Sequence, residues 1–205
     1  ATIDGLDGAE GTGSAILLVH HGLFWDGLQP LTGRRMRRVR GLIERDAALY
    51  GAHLPLDVHP EVGNNAVLAR GLSLDVRDWF GEYQGTRLGV WGDQQLPRTE
   101  LVNRLNRLLE TDAMLIPGGP ETTRQIGIIT GGAGNMIKAA RDAGLDTFIT
   151  GEGAHHTYFD AMEWGMNVIY AGHYATERVG VQALAAHLSR RFELPWSFLD
   201  FPTGL

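Results

Sequence analysis

Residues 167–177 read NVIYAGHYATE: a short apolar run closed by a tyrosine, two small residues, a histidine, and a carboxylate four positions after the histidine. The same plan stands at residues 47–57, AALYGAHLPLD, so that His53 aligns with His173 and Asp57 with Glu177. Upstream of each copy lies another apolar run ending in polar residues, ILLVHHG (16–22) and TFITGEGAHH (147–156), an alignment that sets His21 against Glu152. The chain therefore reads as an α/β protein of two related halves, an internal duplication with approximate limits 1–110 and 111–205 and mixed sheets. In parallel α/β sheets the carboxyl ends of strands are where sites form, and the histidines and acids fall at those ends.

Working outward from the repeat, short aliphatic runs alternate with longer amphipathic ones, the pattern of an α/β fold. AILLV, GRRMRRVRGLIERD, AALYGAH and NNAVLARGLSL are followed by RLGVWG, RTELVNRLNRLLE, AMLIP, RQIGIIT, GNMIKAARDAG, DTFIT, TYFDAMEWG, NVIYAG and ERVGVQALAAHLSRRF. Leu101, Leu105, Leu108 and Leu109 predict one buried helical face, and Val181, Leu184, Leu188 and Phe192 another. No Pro, Gly or Ser stretch is long enough to separate independent domains, so residues 1–205 read as one unit.

Composition limits the function classes. Eighteen Lys and Arg against twenty-four Asp and Glu give a net charge of −6, which disfavours a dedicated nucleic-acid binder while leaving room for a local basic patch. There is no cysteine, which excludes disulfides, thiolate ligands and cysteine nucleophiles; any metal must be held by histidine and carboxylate. No eighteen-residue apolar window is present, and ATIDGLDGAEGTGSA at the start lacks the basic head and apolar centre of a signal peptide. A soluble cytoplasmic protein without a membrane partner is the expectation. The chain starts without methionine, from which an absent upstream segment is expected.

The adjacent histidines of LLVHHGLFWDG (17–27) carry the chemistry. Neighbouring side chains on a strand point to opposite faces, so one environment does not satisfy both His20 and His21. With Asp57, His173 and Glu177 they form an all-N/O donor set suited to two divalent ions, Zn, Mn, Fe, Co or Mg, with a glutamate able to bridge. The alternative for each histidine is an ordinary hydrogen bond at a strand end. His155 and His156 form a second pair, open to ligation, proton transfer or plain solvent exposure. His53 and His59 flank Asp57 and are expected to orient a ligand by hydrogen bonding, and His187 to be structural. Arg34, Arg35, Arg37, Arg38 and Arg40 suit either phosphate or a solvated helix face with Glu44 and Asp46 as partners. GGAGN (131–135) suits either an anion cradle or a plain strand-to-helix turn. A nucleophile elbow is absent.

LLVHHGLFW, LPLDVHPEVGNN, FITGEGAHH and AGHYATE together resemble the Nif-three-like proteins, dinuclear-metal hexameric proteins also described as GTP cyclohydrolase I type two homologues. The resemblance runs over nearly the whole chain. It implies two intertwined α/β halves, a homohexamer, and a centre with His21 and Asp57 on one metal, His20 and His173 on the other, and Glu177 shared. It also marks departures: an amino-terminal segment is missing, GLDGAEGTGSA is glycine-rich where the family has a helix, Glu152 stands where an aspartate is frequent, and the inserted domain of longer members is absent. The expected function is a metal-dependent hydrolase of a nucleotide or phosphorylated small molecule, with His156 or Glu152 moving the proton. A non-catalytic metal-binding scaffold or regulator, and a nucleic-acid-handling oligomeric ring, are the alternatives.

Overall fold

The computed structural model describes residues 15–204, so the glycine-rich start lies outside the described residues. β1 (Ala15–Val19), α1 (Gly33–Glu44) and β2 (Ala47–Gly51) form a small unit in which the two strands pair in parallel. α2 (Leu54–Asp57) and α3 (Asn64–Gly71) lead to an antiparallel hairpin of β3 (Asp75–Tyr83) and β4 (Thr86–Pro97). α4 (Arg98–Leu109), β5 (Met114–Pro117), β6 (Thr122–Ile128), α5 (Ile137–Asp142), β7 (Thr147–Thr150), α6 (Thr157–Glu163), β8 (Asn167–Tyr170) and α7 (His173–Phe192) follow. Six strands form a mixed sheet ordered β3-β4-β6-β7-β8-β5, so β3 and β4 from the first part of the chain share a sheet with strands of the second.

The sheet centre is apolar because its strands are covered on both faces. Ile126, Ile128, Phe148, Ile149, Val168 and Ile169 are fully buried, and Leu101, Leu105 and Leu109 of α4 close over one face. Leu108 departs from the expected stripe: it points outward, 40% exposed. The stripe expected on α7 is realised only in part: Val181, Leu184 and Leu188 are half-buried, Phe192 is 61% exposed, and the fully buried residues of the helix are Thr176 and Gly180. That helix docks through its small residues near its start, where it meets α3, and its later turns run over the surface. His187, expected to be structural, is exposed. Periodicity does not predict β3; it is an edge strand whose polar residues pair across the hairpin, Arg77 with Asp93 and Asp78 with Arg87.

The two parallel pairs share one register. Ala15 lies opposite Ala47 in β1–β2, and Thr147 opposite Asn167 in β7–β8. Ala52 N–H donates to Val19 O at 3.0 Å just as Gly172 N–H donates to Gly151 O at 3.0 Å. This corrects the sequence alignment: with Val19 matched to Gly151, it is His20 that corresponds to Glu152, and not His21. Matching by residue class slips the upstream strands by one position, which a ladder of backbone bonds does not allow. Among the described residues no helix is long and apolar enough to cross a membrane.

Replacing Phe148 by alanine is expected to cost about 3–5 kcal/mol, because a fully buried ring leaves a cavity, whereas Leu108→Ala is expected to cost about 0.5 kcal/mol or less. Urea unfolding of the two variants checks the difference.

Candidate metal centre

Each proposed ligand is delivered by the end of a parallel strand or by the helix that follows it. His20 and His21 come directly after β1, His53 caps α2 after β2, and His173 opens α7 after β8. One helical turn on, at i+4, Glu177 lies on the same face as His173, and Asp57 ends α2.

These side chains converge. His20 Nε2 lies 3.5 Å from Asp57 Oδ2 and 3.5 Å from Glu177 Oε1. His21 Nε2 lies 3.2 Å, and His173 Nε2 3.1 Å, from Glu177 Oε2. His20 Nδ1 sits 3.0 Å from Ala52 O, and a carbonyl only accepts, so this nitrogen carries a proton and Nε2 is the atom turned to the acids. Glu152 Oε1 is 2.8 Å from His173 Nδ1 and fixes the second ring in the same sense. His20 Nε2 and His173 Nε2 are both buried without a hydrogen-bond partner, although carboxylate oxygens lie 3.1–3.5 Å away. Two buried ring nitrogens facing carboxylates without a hydrogen-bond partner, each with its other nitrogen anchored, is an arrangement that suits metal ligation once their protons leave. Donor atoms of His20, His21 and His53 lie within 4.8 Å of one another, as do those of His21, His173 and Glu177. The donor set therefore fits a divalent ion.

The grouping differs from the one the family resemblance implied. Asp57 faces His20 rather than His21, and His21 shares Glu177 Oε2 with His173. His53 is drawn into the cluster itself, its ring 4.9 Å from both His20 and His21. His59 does not orient a ligand: its Nδ1 accepts the backbone N–H groups of Glu61 and Val62, closing a turn. Glu152 is used to hold His173. His156 stands exposed at the N-terminus of α6, and among the described residues no side-chain bond joins it to the cluster. His155 packs edge-on against Phe159.

The residues that hold the acids are not among the sequence candidates. Asn64 Nδ2 donates to Asp57 Oδ1 at 2.9 Å while its Oδ1 accepts Gly180 N–H at 2.8 Å, tying α3 to both α2 and α7. A side chain at Gly180 would place Cβ 2.3 Å from that oxygen. Asn65 donates to the backbone carbonyls of Asp57 and Leu88 and accepts Thr130 N–H. Thr176 Oγ1 receives Gly131 N–H at 3.0 Å. The adjacent asparagines of EVGNN, buried just where a helix starts, are the signal the sequence holds for them. The glycine run takes neither of its expected roles alone: Gly131 has φ +72°, and a Cβ there would lie 2.1 Å from Glu177 Oε1. Its bare backbone makes room for the acid.

The electrostatics follow from this crowding. Burial opposes a charge on His20, but Asp57 and Glu177 outweigh it and raise its pKa to about 10. Glu177, helped by Glu152, raises His173 to about 9. Burial opposes ionisation of Glu177, yet His173, His20 and His21 together hold it far below the usual carboxylate range. His53 is lowered by burial and by the neighbouring imidazoles of His20 and His21. On the arginine helix, Arg35 pairs with Asp26 at 2.8 Å rather than with Glu44 or Asp46.

Residues 1–203 match the family described as Duf34/NIF3 (NGG1p interacting factor 3). This chain belongs to that family. A Deinococcus radiodurans protein named GTP cyclohydrolase 1 type 2 homolog is 45% identical over 202 residues, spanning 98% of this chain and 77% of the relative. One from Treponema pallidum with the same name is 38% identical over 240 residues, spanning 100% and 84%. Among solved structures, TTHA1606 from Thermus thermophilus superposes with a TM-score of 0.79 at 41% identity, over 93% of this chain and 76% of its own. Reduced HcgD from Methanocaldococcus jannaschii gives 0.83 at 25% identity, over 98% and 80%. The family membership and the His/Glu cluster capable of holding metal thus stand together.

Metal uptake by the metal-free protein at pH 7–8 is expected to release protons, since His20 and His173 are raised to about 10 and about 9 and must lose theirs to bind. Calorimetry in buffers of differing ionisation enthalpy measures the release. The sign for stability is the reverse. The raised histidines stabilise the metal-free fold fully below their ordinary range, and that contribution disappears as pH climbs through about 9 to 10. The contribution of depressed Glu177 is present above the ordinary carboxylate range and is lost as pH falls below it.

Proposed function

We propose that the chain is a divalent-metal-dependent hydrolase of a nucleotide or another phosphorylated small molecule. The observation that carries this reading is the split carboxylate of Glu177, with Oε1 toward His20 and Oε2 toward His21 and His173. His20 and Asp57 with Oε1 would hold one ion, and His21 and His173 with Oε2 the second. Such ions supply Lewis acidity: they acidify water and offset negative charge on a phosphate or ring carbonyl.

The chain's own groups do the rest. Ala52 O and Glu152 lock the two histidine rings, and Asn64 holds Asp57 with one oxygen toward His20. Glu152 has a half-exposed side chain at the rim, where it can pass a proton between solvent and the site. His156, exposed at the start of α6, makes no side-chain bond to the cluster among the described residues, and its replacement is the control for Glu152. The relatives' shared name makes GTP a first substrate to assay, followed by nucleoside mono- and triphosphates and phosphate monoesters. A homohexamer, the assembly the sequence resemblance implies, is part of the reading. It is supported by Tyr158, Phe159 and Met162, apolar side chains of α6 left open at 46%, 51% and 43% exposure.

Chelation is expected to abolish turnover and Zn²⁺ or Mn²⁺ to restore it. Metal analysis of Glu177→Ala should show both ions gone, against loss of one in Asp57→Ala. Glu152→Gln is expected to slow turnover with metal retained, whereas His156→Ala changes neither. Two ions held per chain with no substrate turned over would make the protein a metal-binding scaffold. Light scattering at the mass of a single 22.4 kDa chain would remove the hexamer.

A further inference from the structure

Beside the histidine cluster, between α1, the β1–β2 pair and the segment from Gly22 to Leu31, lies a cavity of about 630 Å³. That is within the range of small-molecule sites, roughly 300–1,000 Å³. Its walls include Phe24, Trp25, Leu42, Ile43 and Leu49, and one wall is His53, whose ring stands 4.9 Å from His20 and from His21. Among the described residues no Lys, Arg, Asp or Glu side chain lines it. The guanidinium close by, Arg35, is held by both oxygens of Asp26 at 2.8 and 2.9 Å and lies over the Phe24 ring at 5.8 Å, so its charge is already matched. Trp25 is joined to the cluster directly: its ring lies 5.8 Å from His21 at an interplanar angle of 31°.

We propose that this cavity binds the flat, uncharged aromatic ring of the substrate and thereby directs the anionic group of the same molecule to the cluster. The two parts of the site divide the ligand by chemistry. A phosphate finds no unpaired cation among the apolar walls and would lose its hydration there without compensation; at the cluster, histidines and bound ions replace the water. A ring gains in the cavity, where Trp25 and Phe24 offer faces for offset stacking, an arrangement worth more than area burial alone. An alkyl chain would gain only the burial. The occupant is thus an aromatic or heteroaromatic compound bearing phosphate. This deepens the hydrolase reading and rests on it for the phosphate end, but ring binding needs no metal.

The test uses the full chain, metal-free and Zn²⁺-loaded, with four probes followed by calorimetry and saturation-transfer NMR: 1-naphthol, 1-octanol, 1-naphthyl phosphate and inorganic phosphate. 1-Naphthol is expected to saturate both forms alike and to bind at least about five-fold more tightly than 1-octanol, the order of a stacking gain. Trp25→Ala, at a residue 66% exposed and so without consequence for folding, should weaken 1-naphthol about five-fold, and Trp25→Phe should restore most of it. Inorganic phosphate should bind the Zn²⁺-loaded form alone, and 1-naphthyl phosphate should bind that form more tightly than either part. Equal binding of naphthol and octanol, or naphthol affinity unchanged in both Trp25→Ala and Leu49→Gln, overturns the proposal. Naphthol binding without any Zn²⁺ uptake would leave the ring site standing and remove the hydrolase reading; Zn²⁺ uptake without naphthol binding would do the opposite.

Discussion

A single buried carboxylate organises the molecule. Glu177 is taken out of water among three imidazoles, and an ion in that position is tolerable only if positive charge or directed hydrogen bonds surround it. Without metal, the raised pKa values of His20 and His173 supply that charge from within the protein. The features around it read as consequences. Gly131 cannot carry a side chain because Glu177 occupies the space, and Thr176 holds the Gly131 backbone in place. Asn64 braces Asp57 against the same helix that presents Glu177. Metal would substitute for protons at a centre whose negative groups are already held apart from solvent.

Strand geometry explains how ligands distant in sequence meet. The β1–β2 and β7–β8 pairs run parallel in the same register, so each ends in a turn that lifts a polar residue above the sheet edge. His20 leaves one pair and Glu152 the other, and their roles are related, since His20 faces the acids itself, whereas Glu152 holds the histidine that does. A helix opening after each second strand then carries the acid, Asp57 or Glu177, one turn from its start. The difference between a four-residue and a twenty-residue helix matters: α2 needs Asn64 to hold its acid, while α7 is long enough to anchor itself along the fold.

Donor chemistry was legible in the sequence because residue type limits it: with no cysteine, the repeated histidine and carboxylate after apolar strands pointed to one N/O centre, and all five named side chains converge. The α/β class was legible from alternation of periods. What could not be read was direction. Whether Asp57 meets His20 or His21 depends on rotamers and on a one-residue register, neither visible in spacing. The shallow burial of the α7 stripe has another cause, because the deepest contacts of that helix are made by glycine and threonine, which leave no apolar signature. Asn64 and Asn65 escaped notice because asparagine ahead of a helix ordinarily reads as a cap, and only burial shows that these two serve as struts.

The bond from Gly180 to Asn64 spans 116 residues, and the ligands themselves run from His20 to Glu177. On the ribosome, therefore, the cluster is completed late: His20, His21, His53 and Asp57 emerge early, and Glu177, which faces three of the histidines, joins them only once α7 has left the exit tunnel. An early nascent segment presents three imidazoles without the Glu177 carboxylate, so an ion arriving then would meet a softer, less negative donor set than the one the folded chain presents.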